Sequence, residues 1–82
     1  MNRRVEFLPH GWRDLERLDR SLQQRVLQAL QRYAATQLGD VKPLQGRRGE
    51  YRLRVGKWRV FFHLDDPEVV AVFRIDNRGQ AY

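Results

Sequence analysis

The segment Glu50-Tyr51-Arg52-Leu53-Arg54-Val55-Gly56-Lys57-Trp58-Arg59-Val60-Phe61-Phe62-His63 reads as a β-hairpin from which the rest of the sheet can be laid out. Tyr51, Leu53 and Val55 alternate with Arg52 and Arg54; after Gly56-Lys57, Trp58, Val60 and Phe62 alternate with Arg59, Phe61 and His63. Alternation with period two marks strands with one buried face. A two-residue loop with Gly first suits a type II′ turn, which pairs Val55 with Trp58. The rest of the register follows by counting. Leu53 faces Val60 and Tyr51 faces Phe62 on the apolar side. On the other side Arg54 faces Arg59, Arg52 faces Phe61 and Glu50 faces His63.

Downstream, Asp65-Asp66-Pro67-Glu68 closes a second hairpin, and Val69 to Ile75 is almost continuously apolar. Pairing Leu64 with Val69 places Phe73 and Ile75 on the apolar face and brings Arg74 opposite Arg59. A row Arg54-Arg59-Arg74 then crosses three strands, with Arg52 beside it. Like charges directly opposite each other destabilise a sheet, so the row calls for an anion such as phosphate; the competing reading is a solvated outer face with splayed side chains.

Upstream, Arg4-Val5-Glu6-Phe7-Leu8 alternates as a short strand that Pro9 ends. Trp12, Leu15 and Leu18 form one stripe of a short helix over Gly11–Leu18. Leu22, Val26, Leu30 and Tyr33, with Ala34 and Leu38 nearby, recur at helical spacing behind a cap at Asp19 or Ser21, and Gly39 is the expected stop. Asp40 to Gly49, with Pro43, Gly46, Gly49 and the basic pair Arg47-Arg48, reads as an exposed connection. The expected fold is α+β, in the order β-α-α-β-β-β, a helical hairpin packed on one face of a mainly antiparallel sheet.

The 82 residues suffice for one domain, 1–82, since a core of this size buries only about 60 to 65% of the unfolded chain's surface. No run approaches the roughly 18 apolar residues of a membrane span, and Met1–His10 lacks the apolar run of a signal peptide. A cytoplasmic protein with no membrane contact is the expectation. Cysteine is absent, which excludes disulfides and thiolate zinc sites among these residues. Sixteen Lys and Arg against ten Asp and Glu give a net charge of +6, and Lys occurs only at Lys42 and Lys57. Guanidinium grips phosphate with two parallel hydrogen bonds, so this bias suits a nucleic-acid partner.

Cutting a phosphodiester requires metal-held water or an internal nucleophile with proton transfer and charge stabilisation. His10 and His63 are isolated, and Asp65-Asp66 fits turn chemistry, so neither a metal nor a cofactor is expected. RNA carries its own nucleophile, the 2′-hydroxyl, and arginines can hold the charge that builds on phosphorus. The proton-transfer candidates are Glu50, His63 and Tyr82. Glu50 and His63 also read as an ordinary cross-strand pair, and Tyr82 as a frayed aromatic. Arg52, Arg74 and the loop pair Arg47-Arg48 are the RNA-binding candidates, with Phe61 to stack a base.

Leu44-x-Gly46, Glu50-Tyr-Arg-Leu-Arg-Val-Gly-Lys-Trp-Arg-Val-Phe-Phe62 and Val72-x-Arg-Ile-x-Asn-Arg78-x-x-x-Tyr82 resemble the RelE/ParE toxin superfamily over nearly the whole chain. The resemblance implies the same β-α-α-β-β-β fold and the toxin of a type II toxin-antitoxin pair. It further implies a metal-independent endoribonuclease that binds in the ribosomal A site and cleaves mRNA there, with a cognate antitoxin as a second partner in a hetero-oligomer. By motif position Arg52, Arg54, Arg59, Arg78 and Tyr82 match the site of RelE-type members. Arg54, Arg59 and Arg78 would then stabilise phosphate charge and the leaving oxygen, with Tyr82 as general base on the 2′-hydroxyl. Asn77 stands where many relatives carry His, so an acid role there passes to an arginine or to His63. Two other readings compete: a ParE-like toxin that poisons DNA gyrase by binding, and a non-catalytic RNA- or partner-binding module.

Overall fold

Pro9 turns the chain from strand into helix, and it does so from inside the helix. Proline is tolerated in the first helical turn, where its missing N–H has no intrahelical acceptor to lose. In the computed structural model, which describes residues 2–77, β1 (Arg4–Phe7) leads into α1 (Pro9–Glu16) with Pro9 in that first turn. The helix thus starts ahead of the Gly11 expected from the apolar stripe. Asp19, not Ser21, caps α2 (Arg20–Thr36), its carboxylate accepting the Leu22 N–H at 2.8 Å. That helix stops short of Gly39 because Gln37 adopts the left-handed conformation, φ 64°, that closes it. Leu38 consequently leaves the apolar stripe and is exposed. No helix among the described residues is long and apolar enough to cross a membrane.

Four further strands, β2 (Val41–Pro43), β3 (Glu50–Val55), β4 (Trp58–His63) and β5 (Val69–Asn77), complete a sheet in the order β1-β5-β4-β3-β2. Only β1 and β5 run parallel. The architecture is the expected α+β one with a strand added, since β2 lies inside the connection read from sequence as exposed loop. Three residues are too few to show alternation, and Pro43 is compatible with a sheet edge only. Leu15, Val26, Leu30, Tyr33 and Ala34 from the helices and Leu18 from their connection meet Leu53, Val55, Val60, Phe62, Val70, Val72 and Ile75 from the sheet in one core.

The β3–β4 register agrees pair by pair with the count from the loop, from Val55↔Trp58 through Arg54↔Arg59 to Glu50↔His63. Gly56 has φ 60°, the positive angle that the first position of a type II′ turn demands.

The β4–β5 register departs from expectation. Arg59 stands opposite Asp76, and Arg74 stands opposite Phe61; a bulge then shifts the pairing to Phe62↔Val72 and His63↔Ala71. The cause is the spacing of the apolar residues. Val72 and Ile75 are three apart, so regular alternation cannot bury both. One extra residue, Phe73, resolves the conflict by bulging out. Val72 and Ile75 enter the core, while Phe73 packs with Phe61 and His63 on the opposite face, not beside Val60 and Phe62.

Two contacts fix α1 on the bulged strand. A Cβ at Gly11 would collide with the Val72 carbonyl, so only glycine lets the helix approach this closely. Beyond the end of β1, the Ile75 N–H would lack a sheet partner on that side; Asp14 Oδ2 accepts it at 2.9 Å.

Candidate nucleic-acid interface

Because the helices cover one face, the alternating polar residues of β2 to β5 line the other. Two neighbouring rows result. In the first, Lys42 of β2 stands opposite Arg52 of β3, which faces Phe61 of β4, which faces Arg74 of β5. In the second, Arg54 faces Arg59, which faces Asp76. Asp40 flanks the Arg54 end, where its carbonyl accepts the Arg54 N–H at 3.0 Å. The like-charged pair Arg54/Arg59 is therefore bracketed by a carboxylate on either side.

These carboxylates change the electrostatic argument. The fold itself supplies part of the counter-charge that the sequence reading assigned to an external anion. The supply is incomplete on the Asp40 side. One Asp40 oxygen lies 3.8 Å from Arg52 Nη2 and the other 3.8 Å from Arg54 Nε, both beyond hydrogen-bond distance. Arg52 Nε and Nη2 and Arg54 Nε are buried and donate no hydrogen bond among the described residues. The Arg52 side chain is only 14% exposed. Leaving buried charged donors unsatisfied costs roughly 1–3 kcal/mol or more per group, a cost that a phosphate oxygen placed between these guanidiniums would remove.

On the β5 side the packing is tighter. Arg74 Nη2 bonds Asp76 Oδ2 at 2.8 Å. The guanidinium carbons of Arg59 and Arg74 lie 5.7 and 5.8 Å from the Phe61 ring centroid, within cation–π range. Phe61, expected to stack a base, is 8% exposed and held between these cations and Phe73, whose centroid is 6.2 Å away. Phe73, brought out by the bulge, is the more accessible ring.

Next to these rings a cleft of about 260 Å³ opens between the β2–β3 loop and the strands. Gln45 and Arg47 of that loop line it together with Glu50 at the start of β3 and with Arg59, Phe61, Phe73 and Arg74 of the following strands. Arg47 reaches Glu50 at 3.5 Å. Of the acid/base candidates, Glu50 joins the arginines in this cleft. His63 lines a separate one, its Nδ1 3.4 Å from Asp65 and its ring stacked on Phe73. Arg48 lines a different cleft, with Pro43, Tyr51 and Arg47. Arg78 and Tyr82 lie outside the described residues.

Sequence reasoning missed Lys42, Asp40, Asp76 and Gln45. The first two depend on β2 and Asp76 on the bulge; neither leaves a periodic signal. Gln45 is a loop residue whose place is visible only once β3 and β4 are paired.

Comparison with known proteins agrees with this architecture. The chain matches the family model described as the ParE toxin of type II toxin-antitoxin system, parDE, over residues 5–82. No curated protein matches it by sequence. Among solved structures it is similar to a chain of the toxin-antitoxin complex RelBE2 from Mycobacterium tuberculosis, with a TM-score of 0.78, 28% identity, 95% of this chain covered and 100% of that chain. A chain of the archaeal RelE-RelB complex from Pyrococcus horikoshii OT3 gives 0.76 and 25% identity over 99% of this chain and 100% of that one. The isolated RelE toxin of E. coli, at 13% identity, shares the fold, with a TM-score of 0.76 over 96% of this chain and 87% of that one.

Proposed function

The chain belongs to the ParE toxin family of type II toxin-antitoxin systems, and we propose that this toxin acts as an endoribonuclease that cleaves mRNA in the ribosomal A site. The observation that carries the reading is the Arg54↔Arg59 pair with Arg52 alongside, on the sheet face opposite the helices, where Arg52 Nε and Nη2 and Arg54 Nε are buried and donate no hydrogen bond among the described residues. A phosphodiester placed there meets charge on the non-bridging oxygens, where it builds in the transition state.

The chemistry balances without any further reagent. The 2′-oxygen attacks phosphorus and forms the P–O2′ bond while the P–O5′ bond breaks, leaving a 2′,3′-cyclic phosphate and a 5′-hydroxyl. Arg54 and Arg59 stabilise the phosphorane charge, Arg52 and Arg74 hold the flanking backbone, and Lys42 extends the cationic row. Tyr82 removes the 2′-proton, Arg78 supports the leaving oxygen, and the 5′-oxygen takes up a proton from solvent water while Tyr82 returns its own to solvent; the roles of Tyr82 and Arg78 are carried over from the motif resemblance. A phenol with an ordinary pKa near 10 makes a weak base at neutral pH, so this role requires cations close enough to lower it.

The antitoxin is the second partner. The structural relatives named above include toxin-antitoxin complexes, and the open face offers an acidic or apolar segment both charge and two ring surfaces. Covering it would block ribosome and substrate together.

One observation favours a second reading. Asp40 and Asp76 offset part of the charge row, so the face is compatible with a toxin that acts by binding alone, as in gyrase poisoning. Mapping RNA and DNA ends after brief induction in cells separates the two. Cuts in translated mRNA in register with codons support the endoribonuclease; gyrase-linked DNA breaks with intact mRNA support the binder.

A further inference from the structure

The cleft beside the arginine rows carries more than phosphate chemistry. Among the residues that line it, Arg59 and Arg74 are cationic, Phe61 and Phe73 aromatic, and Gln45, Arg47 and Glu50 polar hydrogen-bonding groups. Those three kinds of group match the parts of one nucleotide: phosphate, ring, and hydrogen-bonding edge. The volume, about 260 Å³, lies just below the roughly 300 Å³ at which small-molecule pockets begin, room for one base and not several.

Stacking on a ring holds any base, because every base has a π-face. Choice between bases has to come from the edge. Glu50 is an acceptor only, with about four lone-pair sites on its two oxygens. Its carboxylate accepts from Arg47 Nη1 at 3.5 Å through Oε1 and from no other side chain among the described residues. Guanine presents two adjacent donors, N1–H and the exocyclic amine, which a carboxylate takes as a fork. Adenine and cytosine present one amine beside a ring acceptor, and uracil one ring N–H between two carbonyls. Arg47, in contact with Glu50, and the Gln45 amide line the same cleft and supply donors for the neighbouring O6. We infer that this cleft is a base-reading subsite, with Glu50 as the residue that selects a guanine of the RNA and Phe73 as the ring under it.

The inference rests on the endoribonuclease reading and assigns Glu50 to specificity instead of proton transfer. The two roles separate in one experiment on the full chain. Titrating the four ribonucleoside 3′-monophosphates and following chemical shifts of the Phe61 and Phe73 rings gives a preference of at least about 5-fold for guanosine, and Glu50→Gln removes it. In cleavage of a ribosome-bound message carrying each base in turn beside the cut, Glu50→Gln lowers the guanosine substrate alone toward the level of the other three. An equal fall on all four substrates overturns the inference and makes Glu50 an acid or base. Equal binding of all four nucleotides by the unaltered protein also overturns it, while leaving RNA cleavage standing. Guanosine preference without any RNA cleavage keeps the subsite and removes the endoribonuclease.

Discussion

Asp76 stands opposite Arg59 across the β4–β5 pair, and its Oδ2 lies 2.8 Å from Nη2 of Arg74. This carboxylate, 12% exposed, is a built-in counter-charge at one end of the arginine row. Asp76→Asn keeps the shape and removes the charge. A charge-assisted hydrogen bond is lost, so the unfolding free energy should fall by about 1–2 kcal/mol. RNA should bind more tightly at low salt, because a fixed anion has left the face. Urea denaturation and a salt-dependent binding series measure both; unchanged stability with weaker RNA binding would contradict this role.

Arg54 and Arg59 form the pair on which phosphate is proposed to sit. Arg54→Ala and Arg59→Ala should each abolish toxicity and RNA cleavage while the protein still folds. Among the described residues Arg54 makes one ion pair, the 3.8 Å contact with a half-exposed Asp40, so its removal should cost about 1 kcal/mol or less. A growth assay beside a thermal melt decides the matter. Full toxicity in either variant, or inactivity explained by unfolding, counts against the charge pair.

Gly11 tests the platform beneath the site. With the Val72 carbonyl in the way of a Cβ, Gly11→Ala must push α1 off β5 at the bulge. Overpacking of this kind costs about 1–3 kcal/mol. The expected result is a lowered denaturation midpoint with no direct loss of a site group. A midpoint equal to that of the unaltered protein would show that the helix can shift freely.

How far the sequence could be read depended on whether each strand alternates. Gly56-Lys57 fixed the β3–β4 pairing because a two-residue loop with Gly first admits one register, and the alternating arginines and apolar residues agreed with it. Val69 to Ile75 offered no such check. In a continuous apolar run either face can be buried, and only the core's need for both Val72 and Ile75 selects the bulge that swaps Arg74 for Asp76 opposite Arg59. β2 is a tertiary feature, three residues paired to Tyr51–Leu53, which no local pattern announces. Arg52, Arg54 and Arg59 were therefore legible as one face, while their carboxylate flanks and Lys42 were not.

Tyr82→Phe isolates the general-base assignment carried by the family motif. The ring remains and the proton acceptor goes. Turnover should drop on the order of 100-fold or more with little change in substrate binding. Single-turnover cleavage at saturating ribosomes reads this directly, and turnover equal to that of the unaltered protein would move the base to Glu50 or His63.

In the proposed reaction the RNA's own 2′-hydroxyl, held against Arg54 and Arg59, is the nucleophile. Replacing the ribose at the cut position with 2′-deoxyribose removes that group and leaves the phosphate contacts and stacking that carry binding. Cleavage of the all-ribose message should continue in excess chelator that leaves the ribosome intact and should end in a 2′,3′-cyclic phosphate or the 3′-phosphate derived from it. The 2′-deoxy message should bind with similar affinity and remain uncut; efficient cutting of that message would contradict the account.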